Sequence, residues 1–160
     1  MRRKTKFLTQ AAMIGALYVA LCHMQNLLLP GSASWAIQFR AAEAMCVLAF
    51  FTPAAIPGLT VGCLLFNVTS GAALPLDFLV GSLASFFAAT TMWKLRRFPL
   101  LGLWMPALFN GMLVGWELSV YIGGGFWLNA FYVALGEAAV LMTLGQVLYR
   151  AIGKGSTPMN

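Results

Sequence analysis

Six apolar runs, at about 7–29, 41–52, 54–70, 76–94, 100–122 and 126–149, fill this chain almost from end to end. A helix needs about 20 residues to cross a hydrocarbon core ~30 Å thick, so the second and third runs are short and the others are of spanning length. Of the 160 residues 61% are hydrophobic and 9% charged, with a mean hydropathy of +0.83; a soluble domain averages about 25% charged residues. The chain therefore reads as an all-α integral membrane protein, a single membrane domain over residues 1–160 with no room for a soluble one. The start, "MRRKTKFLTQAAMIGALYVALC", has the basic-then-apolar look of a signal peptide. Its "VALC" fits lipoprotein cleavage poorly and the apolar run continues to Leu29, so it reads as a retained span.

Charge placement decides how many times the chain crosses. Cytoplasmic loops carry an excess of Lys and Arg. Basic residues cluster at Arg2, Arg3, Lys4 and Lys6, then at Lys94, Arg96 and Arg97, then at Arg150 and Lys154. Merging the two short runs into one kinked span leaves five crossings and puts "KLRR" outside. Six crossings put nine of the ten basic residues inside, so six transmembrane helices with both termini cytoplasmic is the expectation. The net charge of +6 is thus explained by membrane topology and does not point to nucleic acid. Pro53 and Pro57 then make an inner turn between two short helices, since proline removes a backbone donor and disfavours helix before itself. "LLLPGSASWAIQ", residues 27–38, becomes a first outer loop long enough to fold over a site. No internal repeat or low-complexity segment stands out.

The four acidic residues, Glu43, Asp77, Glu117 and Glu137, all fall in the outer half on this map. Glu137 lies ten residues beyond Trp127, roughly 15 Å deep at ~1.5 Å per residue. A carboxylate at that depth costs several kcal/mol unless it is paired or faces a cavity, so it defaults to a functional role. Asn110, Glu117 and Tyr121 share one face of span five; Trp127, Ala130, Ala134 and Glu137 share one face of span six. Arg40, the only basic residue on the outer side, stands three residues before Glu43. The expected site is an acidic, aromatic-edged chamber opening outward, with Trp116 and Trp127 among the aromatics. A carboxylate accepts two parallel donors, such as the N–H and NH₂ edge of a guanine-like base. Plainer readings stand beside this one. Glu43 and Asp77 can be hydrated helix ends, and Arg40 and Glu43 can pair only with each other. Glu137, Asn67 and Asn110 can be interhelical hydrogen bonds, and Trp35, Trp116 and Trp127 interfacial aromatics.

Other features narrow the chemistry. Cys22, Cys46 and Cys63 sit in apolar runs and read as small packing residues. His23 has no partner at metal-binding spacing, so neither a metal nor a cofactor is expected. The "NVT" sequon at Asn67 falls at a span end and is discounted. "GKGST" at 153–157 lacks the first glycine of a phosphate-binding loop and a following helix. With no HExxH, GxSxG or zinc pattern either, the chain is not expected to be an enzyme. A small carrier without an energy source depends on a partner, and span one offers a face for it. Ala12, Ala16 and Ala20 recur every fourth residue, the spacing that lets another helix approach closely. The same row also suits packing within the chain, and span four carries a comparable row in Asp77, Gly81, Ala84 and Ala88.

Four blocks carry a family resemblance: "FRAAEAMCVLAFFTPAAIPGLTVGCLLFN", "LDFLVGSLASFFAA", "PALFNGMLVG" and "FWLNAFYVALGEAAV", in that order over about 39–140. Together they resemble the QueT family of queuosine-precursor transporters, the substrate-binding (S) components of energy-coupling-factor transporters. The resemblance implies a six-helix S component in the bacterial cell membrane. It would capture a 7-deazaguanine such as queuine or its aminomethyl or cyano precursors. It also implies as partners a transmembrane coupling protein, met by the small face of span one, and two ATPase subunits that supply ATP hydrolysis. The positions it carries over are Arg40, Glu43, Asn67, Asp77, Asn110 and Glu137. The chain departs from the family pattern at Ala49, where a proline is expected, and at Phe66, where a smaller residue precedes Asn67. Two alternatives remain at this point. One is an S component or small carrier for another cationic or vitamin-like solute; the other is an intramembrane enzyme, channel or assembly factor.

Overall fold

A computed structural model describes residues 2–30, 39–71 and 74–155, all-helical with turns between the helices and no strand among the described residues. The elements are α1 (Arg2–Leu28), a 3-10 helix (Ala41–Phe50), α2 (Ala55–Thr69), α3 (Asp77–Lys94), α4 (Pro99–Gly102), α5 (Met105–Tyr121) and α6 (Phe126–Val140). A π-helical stretch (Leu141–Gly145) then joins α6 to α7 (Gln146–Gly155). Three helical stretches are long and apolar enough to cross a membrane: Arg2–Leu28, Pro99–Tyr121 and Phe126–Lys154. Ala41–Phe50 and Ala55–Thr69 are apolar but shorter. Most of the outer loop expected at 27–38 lies outside the described residues.

Prolines and glycines set the boundaries. Phe51–Ala54 turns the chain between the 3-10 helix and α2, with Thr52 Oγ1 accepting from the Ala54 amide at 3.3 Å. Pro57 falls in the first turn of α2, where a missing N–H costs nothing. The fifth apolar run is interrupted where one helix was expected: α4 ends at Gly102 and α5 starts at Met105. Pro106 accounts for the break, because it lacks an N–H to give back to the Gly102 carbonyl and is accommodated in the first turn of a new helix. Between α5 and α6, Gly123 and Gly124 take φ of +89° and +81°, a conformation only glycine adopts at no cost. Asn129 Nδ2 ties that turn down by donating to the Gly123 carbonyl at 3.0 Å.

The helices pack in chain order: α1 on α2, α2 on α3, α3 on α5, and α5 on α6. Small residues bring two of these pairs to backbone contact. A Cβ on Gly58 would stand 2.7 Å from the Ala11 carbonyl oxygen, and one on Gly115 would stand 2.6 Å from the Ala130 Cα. The 3-10 helix runs through the middle and touches α1, α2, α3, α6, α7 and the π stretch. Its length is unusual, since such runs rarely exceed four residues and eclipse side chains at i and i+3. Here the eclipsed pairs include Ala41 with Ala44 and Cys46 with Ala49, so small side chains relieve the crowding. At ~2.0 Å per residue, ten residues reach about 20 Å instead of the ~15 Å of an α-helix.

Tyr18, Cys22, Met45, Cys46, Leu59, Cys63, Met92, Leu103 and Leu141 belong to the main core. A second cluster joins Val80, Val114, Leu118 and Val133 across α3, α5 and α6. Outward faces are also apolar, with Leu8, Met13, Leu17, Leu108, Phe131 and Val147 among many exposed large side chains. A surface of that kind is at home in lipid.

Candidate functional site

The 3-10 helix positions the first two charged residues. Gln25 of α1 holds its start: the side-chain amide donates to the Phe39 carbonyl, and Oε1 accepts from the Ala41 amide at 2.7 Å. Arg40 and Glu43 follow, and eclipsing at i, i+3 brings them to 3.8 Å. Glu43 is 1% exposed and has two further partners. Tyr18 O–H donates to its Oε1 at 2.5 Å, and the Cys46 thiol to its Oε2 at 3.1 Å. The Arg40 guanidinium is also buried, 5.6 Å from the Phe66 ring centroid, a cation–π distance. Phe66, a departure from the family pattern, thus helps to seat Arg40.

Two more elements bring polar groups to the α2–α3 contact. Asn67 Nδ2 donates to the Asp77 carbonyl at 2.7 Å, under a bare Gly81 whose Cβ would collide with it at 2.8 Å. Asp77 is half-buried at the start of α3, and its Oδ2 accepts from the Leu74 amide at 2.6 Å. Asn67 therefore has a structural hydrogen bond, one of the plainer roles considered for it.

The α5–α6 pair contributes the rest. Asn110 and Glu117 lie two turns apart on the buried face of α5. Tyr121, expected on that face, is instead exposed, because α5 ends at that residue and the Gly123–Gly124 turn begins. On α6 the buried face is Ala130, Val133, Glu137 and Val140. Trp127, expected to share it, is 75% exposed at the first turn, and Trp116 is 48% exposed. Neither tryptophan joins the carboxylates; both face outward, as interfacial aromatics do.

Glu117 and Glu137 are 0% and 2% exposed. Neither oxygen of Glu117 has a hydrogen-bond partner among the described residues, and neither do Oε2 of Glu137 and Nδ2 of Asn110. Glu137 lies in electrostatic reach of Glu43 and Arg40; Glu117 lies in reach of Asp77 and Arg40. Arg40 therefore stands between the two acidic poles. Burying a polar group without a partner costs roughly 1–3 kcal/mol, more for a charge, and asks for an explanation. Arg40, Glu43, Asn67, Asp77, Asn110, Glu117 and Glu137 come from five elements, and among the described residues they keep spare acceptors on Glu117 and Glu137 and spare donors at Arg40 Nε and Asn110 Nδ2. Such a set can bind a ligand rich in N–H groups.

A family model described as QueT transporter matches residues 8–154. The chain belongs to the QueT transporter family. No curated protein and no solved structure matches it. The QueT match spans every residue of the polar set, and with the apolar helices it makes this a multi-pass membrane transporter.

Sequence reasoning passed over Tyr18 and Gln25, and read Cys46 only as a small packing residue, whereas its thiol also donates to Glu43. The signal for Tyr18 was present, since Ile14, Tyr18 and Cys22 recur every four residues on the inward face of α1. His23, set aside as a metal ligand, pairs with Thr69 Oγ1 at 2.9 Å and stacks edge-on against Phe66. The alanine row Ala12, Ala16 and Ala20 is exposed on the outer face of α1. Ala12 and Ala16 help line an apolar groove with Leu8, Pro57, Val61 and Leu65.

Proposed function

We propose that this chain is the substrate-binding subunit of an energy-coupling-factor transporter that imports a queuosine precursor, a 7-deazaguanine, across the bacterial cell membrane. The observation that carries this reading is the pair of buried carboxylates with free oxygens, Glu117 and Glu137, beside the orphan amide of Asn110. A deazaguanine offers a planar edge of two parallel N–H donors to a carboxylate and a carbonyl oxygen to an amide donor. Glu137, at the deeper pole with Glu43 and Arg40, is the residue assigned to the guanine edge. Asn67 and Asp77 shape the wall between α2 and α3. Family membership supports the substrate class.

The chain crosses the membrane six times in this reading, with both termini cytoplasmic. Energy comes from outside the chain, through a transmembrane coupling protein and two ATPase subunits. The exposed Ala12, Ala16 and Ala20 on α1 are the proposed docking face for the coupling protein, since bare backbone permits close helix approach in lipid. Binding needs no metal or cofactor in this scheme.

Thermal unfolding of the detergent-purified protein with queuine, its aminomethyl and cyano precursors, and guanine tests the reading. A ligand at 100 times its Kd adds about 2.7 kcal/mol to native-state stability, enough to raise the midpoint visibly. Stabilisation by a deazaguanine beyond that from guanine is the expected result. No shift from any of them, with a shift from another cationic or vitamin-like solute, would move the assignment to a different substrate.

A further inference from the structure

Two glycine contacts fix how far α1 reaches beyond its neighbour. A Cβ on Gly58 would stand 2.7 Å from the Ala11 carbonyl oxygen, and one on Gly62 would stand 3.0 Å from the Gly15 carbonyl oxygen. Further along, His23 pairs with Thr69 Oγ1 at 2.9 Å. The two helices therefore run parallel, with residues 11, 15 and 23 of α1 level with 58, 62 and 69 of α2. In that register residue 8 stands level with Ala55, where α2 begins. The six α1 residues before it project past the start of α2 by about 9 Å at ~1.5 Å per residue.

That overhang has a definite depth when α1 spans a bilayer. Residues 8–28 cover about 30 Å, the thickness of the hydrocarbon core, and they begin with the exposed Leu8. A headgroup layer adds roughly 5–7 Å on each side. Residues 2–6 lie about 3–9 Å beyond residue 8, at the level of the lipid phosphates.

The overhang is also a dense patch of positive charge. Arg2, Arg3, Lys4 and Lys6 are all exposed, and none makes an ion pair among the described residues. The four acids, Glu43, Asp77, Glu117 and Glu137, all lie on other elements. Arg2, Thr5, Lys6, Thr9 and Gln10 recur at the spacing of one helix face and line a surface hollow. An arginine fork takes two phosphate oxygens at once, a lysine adds a point charge, and the Gln10 amide brings two more N–H donors. A zwitterionic headgroup carries an ammonium that such a patch repels; an anionic one does not.

We propose that the basic end of α1 binds an anionic phospholipid, with the phosphate between Arg2 and Lys6 and the acyl chains along the apolar side chains that start at Phe7 and Leu8. In the six-span orientation proposed above, this lipid belongs to the cytoplasmic leaflet. The site is separate from the polar set and holds whichever solute the protein carries.

Titration of the full chain in detergent with phosphatidylglycerol or phosphatidylcholine, with bound lipids counted by native mass spectrometry, tests this. Each Lys or Arg near an anionic surface corresponds to about 5-fold in affinity, so the expected preference for phosphatidylglycerol is about 5- to 25-fold. The double variant Arg2→Gln with Lys6→Gln should cut that ratio at least 5-fold, whereas Arg2→Lys with Lys6→Arg should keep most of it. Both positions are exposed and outside the packed bundle, so the fold is not at stake. Arg97→Gln with Arg150→Gln removes the same charge elsewhere and should leave the ratio nearly intact. Equal retention of the two lipids, or an equal loss from both glutamine pairs, would overturn the site. Displacement of the lipid by an equal concentration of glycerol 3-phosphate would make it a site for soluble anions and overturn the lipid assignment. An unchanged lipid ratio in the Arg2→Gln, Lys6→Gln protein, with loss of the coupling protein on co-purification, would give the patch to that partner instead.

Discussion

Glu43 and Glu137 are both buried acids, but their environments differ. Glu43 has Tyr18, Cys46 and Arg40 as partners, whereas Glu137 keeps an oxygen without one. The first is held in place and the second is left available. Substituting them should separate stability from binding. Tyr18→Phe removes a donor from a buried carboxylate, a loss of about 1.5–3 kcal/mol for a bond to a charged group. A lowered thermal midpoint of the ligand-free protein is expected; an unchanged midpoint would show that Glu43 does not depend on α1. Glu137→Gln keeps the shape and removes the charge. Its expected effect is a drop in deazaguanine affinity of about 10- to 100-fold, from the worth of a charge-assisted pair. Normal binding by that variant would place the guanine edge elsewhere.

Among the elements, close helix contact and irregular winding locate the site. Gly58 and Gly115 let α1 meet α2 and α5 meet α6 at backbone distance. Gly115→Ala would push a methyl to within 2.6 Å of the Ala130 Cα. Overpacking of this sort costs typically 1–3 kcal/mol, so denaturation should come earlier, and the packing of α6 on α5 that positions Glu137 should shift. The check is a paired measurement of melting and ligand affinity, both of which should fall. The overwound 3-10 helix and the underwound π stretch lie against each other, with Gly145 beside Val47. The first carries Glu43, and the second begins four residues after Glu137. Long 3-10 runs and π turns commonly accompany functional sites, and these two join the two acids of the deep pole. Tyr149 of α7 packs on Phe50 and Phe51 and extends that contact toward the C-terminal end.

For the whole molecule, the proposed six-span orientation puts the basic clusters at α1, the α3–α4 turn and α7 on the cytoplasmic side. Arg96 adds to the second cluster by stacking over Trp93 at 4.3 Å. The native cysteines Cys22, Cys46 and Cys63 are buried, which makes single surface cysteines good reporters of sidedness. Arg97→Cys should be modified by an impermeant thiol reagent only in inverted vesicles, and Gly125→Cys, at an ordinary φ with open space around it, only in intact cells. Modification of both from the same side would refute the six-span arrangement. Docking belongs to this scale as well. Ala16→Leu fills the groove shared with Pro57 and Val61, so it should abolish assembly with the coupling protein in co-purification and leave deazaguanine affinity intact.

Helical class, membrane residence and the approximate run boundaries were legible because hydropathy is a local property, written in every stretch of twenty residues. Burial of Glu137 was legible from its depth in an apolar run, whereas Glu43, placed near a helix end where hydration was equally open, turns out buried only because Tyr18, Cys46 and Arg40 enclose it. The helical period also put Asn110 with Glu117. It failed at Tyr121 and Trp127, which lie where the helices end and the face no longer meets a neighbour. Ten residues of 3-10 winding, the break before Pro106 and the π stretch were beyond a period of 3.6, because packing on several sides selects them. The partners of each acid depend on which helices touch. Tyr18 reaches Glu43 from α1, Asp77 reaches Glu117 from α3, and Arg40 stands between both poles. Sequence alone determined that this chain sets its few acids within apolar helices. Only tertiary contact decided which of them are satisfied and which are left with free oxygens, because a hydrogen bond between helices depends on distances that no single helix contains.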